Sequence, residues 1–146
     1  MHIAIGADHG GFDLKVKIIK YLKSKGHEVK DFGCFSAESC DYPKFGYAVA
    51  DAVSKKKFPR GVLICKSGIG MSIVANKSRG VRAALVSDIE GARSSREHND
   101  ANIIVFSSRA TNIFKAKRML DVWFSTRRAG GRHLRRVRQI SDLEAI

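Results

Sequence analysis

The sequence predicts an α/β fold, a three-layer doubly wound domain, and three observations carry that prediction. Short apolar stretches alternate with amphipathic helical stretches along the chain. Residues 61–65 (Gly-Val-Leu-Ile-Cys) are apolar on both faces, as a parallel strand covered by helices on each side must be. No linker, internal repeat or low-complexity segment divides the 146 residues, so a single domain over 1–146 is expected. Right-handed crossovers then give a Rossmann-like or flavodoxin-like five-stranded parallel sheet, with a basic helix at the C-terminus.

The elements follow in order. Residues 2–7 read as the first strand. Phe12, Val16, Ile19 and Leu22 share one face of a helix over 11–25, which Gly26 ends. A second strand occupies 27–32, and a loop rich in Cys, Ser and Asp runs over 33–43. Phe45, Val49, Ala52 and Val53 mark the next helix. After the strand at 61–65 come a glycine-bearing turn and a helix near 69–78. A fourth strand is expected at 81–86, a helix at 88–97 and a fifth strand at 102–107. Ile113, Ala116, Leu120, Trp123 and Phe124 define a long amphipathic helix. After a break at 127–131, a basic helix covers 132–144, with only Leu134, Val137 and Ile140 to bury.

Composition narrows the function classes. Hydrophobic residues at 44% fit a globular protein, and no apolar run reaches span length. The N-terminus lacks the sections of a signal peptide, so a cytoplasmic location is expected. Cys34, Cys40 and Cys65 form no C-x-x-C pair and no metal-ligand spacing. The net charge is +13, and between 115 and 138 the many Lys and Arg residues face only Asp121. Such a segment suits nucleic acid, an anionic surface or a phosphorylated small molecule. No stacking aromatic series or nucleic-acid motif accompanies it, so nucleic acid ranks low.

Ligands of such sheets bind at the carboxyl ends of the strands. That rule singles out Asp8 and His9, then Cys65 to Gly70, Ser87 and Asp88, and Ser107 to Arg109. Cys65-Lys66-Ser67-Gly68-Ile69-Gly70 joins a strand-end thiol to a loop whose backbone N–H groups favour negative charge. It reads as a thiolate base beside an oxyanion hole, or as a tight turn with a core cysteine. Asp8 reads equally as a helix cap. His98-Asn99-Asp100 precedes the fifth strand, away from the carboxyl edge. His98 gains a role there only if a second subunit brings it to the pocket. Arg132 and Arg136, at i and i+4, could clamp a phosphate together with Arg109, or form a solvated face.

The motifs Gly6-Ala7-Asp8-His9-Gly10-Gly11-Phe12, Asp41-Tyr42-Pro43, Ile64-Cys65-Lys66-Ser67-Gly68-Ile69-Gly70-Met71-Ser72, Ala75-Asn76-Lys77, Gly80-Val81-Arg82-Ala83-Ala84, Arg96-Glu97-His98-Asn99-Asp100-Ala101-Asn102 and Gly130-Gly131-Arg132-His133 occur in that order. Together they resemble the type B ribose-5-phosphate isomerases over nearly the whole chain. The resemblance implies a homodimer or dimer of dimers with shared active sites. Its C-terminal helix (131–146) would pack on the partner. It implies interconversion of ribose 5-phosphate and ribulose 5-phosphate, a pentose phosphate pathway step, with no metal or organic cofactor. By the same resemblance Cys65 moves the proton between C2 and C1. Ser67, with the N–H groups of Gly68, Ile69 and Gly70, holds a cis-enediolate, and Asn99 assists. His98 of the other subunit opens the ring, Asp8 handles hydroxyl protons and Tyr42 lines the sugar site. His9, Arg109, Arg132 and Arg136 bind the phosphate.

Some relatives carry a glutamate at the position of Met71 and no cysteine, so the cysteine-type mechanism is favoured here. An allose 6-phosphate isomerase is the nearest alternative. Lys66 stands where the family pattern has glycine. Either it carries the cost of a positive φ, or its ammonium favours a thiolate at Cys65.

Overall fold

In a computed structural model describing residues 1–146, the chain forms β1 (His2–Ala7), α1 (Phe12–Ser24), β2 (Glu28–Asp31), α2 (Tyr42–Ser54), β3 (Arg60–Cys65) and α3 (Ile69–Ala75). It continues through β4 (Ala83–Leu85), α4 (Ile89–Glu97), β5 (Ile103–Ser107), α5 (Ile113–Ser125) and α6 (Gly131–Leu143). A single 3₁₀ turn, His9–Gly11, leads into α1. All strand pairs are parallel, in the order β2-β1-β3-β5-β4. A flavodoxin-like order would place β4 beside β3. Here β5, buried along almost its whole length, takes the inner position, and the short, half-exposed β4 becomes an edge.

Side-chain alternation along the strands sorts the core into two layers. Val62 and Ile64 of β3 and Ile104 and Phe106 of β5 pack on α1, α4 and α5, around Leu14, Ile18, Leu120 and Trp123. Leu63 and Cys65, with Ile103 and Val105, face the opposite way onto α2 and α3, around Val49, Val53, Met71 and Ala75. Each fully buried Ile, Leu or Phe in these layers contributes about 1.5–3 kcal/mol. Cys65 thus belongs to the face covered by α2 and α3, at its open end.

Several expected boundaries move, each for a local reason. The loop after β2 ends at Asp41, because Tyr42 and Pro43 already begin α2 and proline suits a first helical turn. β4 is shorter than 81–86. Val81 turns back to donate to Ser78 O at 3.2 Å. The Arg82 and Ala83 N–H groups are taken by the side chains of Asn102 (2.9 Å) and Asn76 (2.8 Å) instead of a longer ladder. α3 stops at Ala75, and Asn76 caps its C-terminus. Gly26 takes φ +86 after α1, and the following His27 N–H returns to Leu22 O, the helix stop expected of it. α6 covers Gly131–Leu143 with Val137 buried and Leu134 half-buried. No helix is long and apolar enough to cross a membrane.

Candidate active site

Because β1, β3 and β5 are neighbours, their exits share one edge of the sheet. The register pairs Ala7 with Ile64 and Cys65 with Ser107. Asp8, Cys65 and Ser107 therefore lie side by side. Hydrogen bonds stitch the three exit loops together. Ser107 Oγ donates to Lys66 O at 2.6 Å and Ser108 Oγ to Gly10 O at 2.7 Å. Ser108 N–H reaches Cys65 O at 2.9 Å, and Arg109 N–H reaches Lys66 O at 3.1 Å. The loop carrying Cys65 is thus held from both sides, which pre-organises it.

Cys65 is 5% exposed. Its Sγ accepts the Gly68 N–H at 3.2 Å, and Ser67 Oγ accepts the Ile69 N–H at 3.2 Å. The first helical bond of α3 runs from Ser72 N–H to Gly68 O at 3.1 Å. The Gly70 and Met71 N–H groups precede it and belong to the first turn, whose donors have no intrahelical acceptor. A thiol therefore sits beside a small array of backbone donors, an arrangement suited to an anion. The turn requires glycine at position 68, where φ is +75. Gly70 lies under the Tyr42 ring so closely that a Cβ would come within 2.6 Å of Tyr42 Cζ. That packing brings Tyr42, at the start of α2, to the same opening.

Lys66 does not carry the strain considered for it. Its φ is not positive, the left-handed residue of the loop is Gly68, and its aliphatic stem lies over Gly10. Met71 is fully buried in the α2–α3 layer.

Asp8 serves as the cap weighed from its sequence position. Its Oδ1 accepts the Gly11 N–H at 3.1 Å while the residue stays 8% exposed at the edge of the opening. His9 Nδ1 lies 3.2 Å from both the Cys40 N–H and the Cys40 carbonyl oxygen, contacts that hold the ring against that loop. Burial, followed by contact with Cys40, pushes the Cys34 thiol up in pKa behind this residue. Arg109 is exposed on the β5 exit. Asp88, another strand-exit candidate, caps α4 through Gly91 N–H at 2.6 Å.

Four of the sequence-derived candidates gather elsewhere. His98 and Asn99 follow α4 and precede β5, at the amino edge of the sheet. β5 separates the two edges by roughly 15 Å, five residues at the usual strand rise. α6 begins beside them. Ala129 N–H donates to Glu97 O at 2.8 Å, and the His133 ring stacks on His98 with centroids 4.2 Å apart and planes 8° off parallel. Partial burial and the nearby His98, Arg132 and Arg136 hold the His133 pKa below its usual value. Within one chain, then, Asp8, His9, Tyr42, Cys65, Ser67, Gly68, Ile69, Gly70 and Arg109 form one group. His98, Asn99, Arg132 and Arg136 form another. His133 was not singled out from the sequence, although it closes the Gly130-Gly131-Arg132-His133 motif. Only the tertiary return of α6 reveals its stacking.

The chain is similar over nearly its whole length to known proteins. The family model described as Ribose/Galactose Isomerase matches residues 3–140. Ribose-5-phosphate isomerase B of Escherichia coli (strain K12) is 44% identical over 142 residues, covering 97% of this chain and 95% of that one. The solved ribose-5-phosphate isomerase B of Clostridium thermocellum has a TM-score of 0.97 at 47% identity, covering 99% of this chain and 98% of that one. The Mycoplasma genitalium ribose-5-phosphate isomerase B, solved with bound ribulose-5-phosphate, has a TM-score of 0.95 at 38% identity, covering 99% and 96%.

Proposed function

Since this chain belongs to the ribose/galactose isomerase family, we propose that it interconverts ribose 5-phosphate and ribulose 5-phosphate with Cys65 as the base. One observation carries the mechanism. The Cys65 thiol closes β3 at the shared strand edge, bonded to the Gly68 N–H and adjoining the first-turn donors of α3. The likeness to ribose-5-phosphate isomerases B, one of them solved with bound ribulose-5-phosphate, supports the substrate.

The Cys65 thiolate takes the C2 proton of the open-chain aldose. The C2–H electron pair becomes the C1–C2 double bond, and the charge moves to O1. The Ser67 hydroxyl, braced by the Ile69 N–H, and the Gly70 N–H hold that oxygen, a role worth about 10²–10³ in rate per donor. Returning the proton from Sγ to C1, while the O2 hydroxyl proton passes to the O1 oxyanion, completes the ketose and restores the thiolate. Asp8 carries hydroxyl protons, and Tyr42 walls the sugar. A positioned base contributes about 10²–10⁴.

The second group of residues comes from another copy of the chain. His98 and Asn99 of that copy reach the sugar, His98 opening the furanose ring. Arg132 and Arg136 join His9 and Arg109 on the phosphate. Two features support a shared site: the separation of the groups along the sheet, and the exposed Ile69, Ile73 and Leu85 beside edge strand β4. An exposed apolar patch of that kind suits burial against a second copy. The test is ketose formation from ribose 5-phosphate and from allose 6-phosphate in metal-free buffer. Turnover at least tenfold more efficient on the five-carbon sugar supports the reading. Preference for allose 6-phosphate, or turnover of neither, contradicts it.

A further inference from the structure

At the amino edge of the sheet a recess of about 630 Å³ opens between the α2–β3 turn, the start of β4 and the segment before β5. Its charged lining is Lys56, Arg60, Arg82 and Asp100. Asp100, the lone acid among them, is already shared. Arg82 Nη2 lies 3.2 Å from Oδ2, and Arg96 Nη1 lies 2.8 Å from Oδ1. Arg60 has no carboxylate partner. Its Nη1 donates to the Pro59 carbonyl at 2.9 Å, and its guanidinium stands 5.8 Å from the centroid of the buried Trp123 ring, as does that of Arg96. Burial and then Arg96 press the Arg60 pKa down, Asp100 opposes them, and Arg82 adds a smaller push in the same direction as Arg96.

Three guanidinium groups thus surround one carboxylate, and Lys56 adds a further charge at the rim from a left-handed turn (φ +58). The excess positive charge is half-buried, where it interacts more strongly than in open water. Stacking near Trp123 holds Arg60 in one place, so an arriving anion has less side-chain freedom to remove. Asn102 and Ser54 fix the same wall, Asn102 by bonds to the Arg82 N–H and Gly80 O and Ser54 by a bond to Arg79 O. The volume lies within the range of small-ligand pockets.

We propose that this recess is a second anion site, taking the dianionic phosphate group of a small metabolite or inorganic phosphate itself. None of its lining residues has a part in the isomerase reaction, so the inference stands apart from the proposed activity. The test is calorimetric titration of inorganic phosphate into the full chain, with chloride holding ionic strength constant. Adenosine 5′-monophosphate is a second probe. Wild type is expected to show a phosphate site that survives Arg132→Ala and weakens at least tenfold in Arg60→Gln, with kcat/KM on sugar phosphate unchanged by Arg60→Gln. Lys56→Asn, at an exposed position whose left-handed backbone asparagine tolerates, is expected to weaken the same site if Arg60→Gln does not fold. Competition by adenosine 5′-monophosphate for that site assigns it to organic phosphates, and binding of inorganic phosphate alone assigns it to the free ion. Wild-type affinity in both variants, or loss of all phosphate binding in Arg132→Ala, overturns the proposal.

Discussion

Gly68→Ala probes the catalytic loop at the point where backbone conformation and chemistry meet. Gly68 has φ +75, and an L-residue in that region costs about 1–2 kcal/mol. The new Cβ would lie 2.4 Å from Leu85 Cδ1 and 3.2 Å from the carbonyl carbon and oxygen of Phe106. Leu85 is 41% exposed and can swing away. The Phe106 backbone cannot, because it belongs to β5, paired to β3 on one side and β4 on the other. Overpacking against fixed backbone adds about 1–2 kcal/mol, for a total loss near 2–4 kcal/mol. The loop can relieve the contact only by moving outward, which lengthens the 3.2 Å bond from Gly68 N–H to Cys65 Sγ. A displacement approaching 1 Å costs on the order of 10² in kcat. Urea denaturation read by circular dichroism gives the first quantity, and steady-state ketose formation gives the second. A variant with wild-type midpoint and wild-type kcat would refute both the strain and the placement of the donors.

Three further outcomes are expected. Mixing inactive Cys65→Ala and His98→Ala subunits after unfolding and refolding should restore about a quarter of wild-type activity, since half the dimers are mixed and each mixed dimer holds one intact site. No recovery would argue against a site shared between copies. Lys15→Met should lower stability by about 2–3 kcal/mol in a urea melt. It strands partly exposed Asp31, 2.7 Å from the buried ammonium, and leaves the Cys34 carbonyl without its donor. An unchanged midpoint would show the pair to be dispensable. The pH dependence of stability follows from two histidines held below the usual 6.5. In His27 the causes are burial and then the N-terminal ammonium; in His133 they are partial burial and its cationic neighbours. Between their folded-state values and 6.5 the unfolded chain binds more protons, so stability is full above that pH and falls as pH drops through the folded values. His133→Asn should flatten the fall, and an identical slope would contradict the assignment.

The layer structure and the carboxyl-edge group were legible because their signals are local. A strand apolar on both faces, residues 61–65, announces a covered parallel sheet. The run from Cys65 to Gly70 announces the turn that follows it. Strand order was not legible, since β4 is displaced to the edge only by competition with the more apolar β5. The first-turn role of Tyr42 and Pro43 was missed because the preceding polar loop masked the helix start. Asp8 remained open between cap and ligand, and the structure gives it the cap while leaving it at the opening. His133 and the recess at Arg60 depend on segments distant in sequence coming together. No spacing rule encodes such contacts.

Deuterium transfer reads the role of Cys65 as base: ribose 5-phosphate is incubated with wild type and with Cys65→Ala in deuterated buffer and followed by NMR at C1 of the ketose. Removing the small Cys65 side chain leaves the fold intact, so circular dichroism of the variant should match wild type. Wild type is expected to give ketose carrying solvent deuterium at C1, and the variant to form ketose at least about 10³-fold more slowly. A folded Cys65→Ala protein that turns over near the wild-type rate would contradict that role.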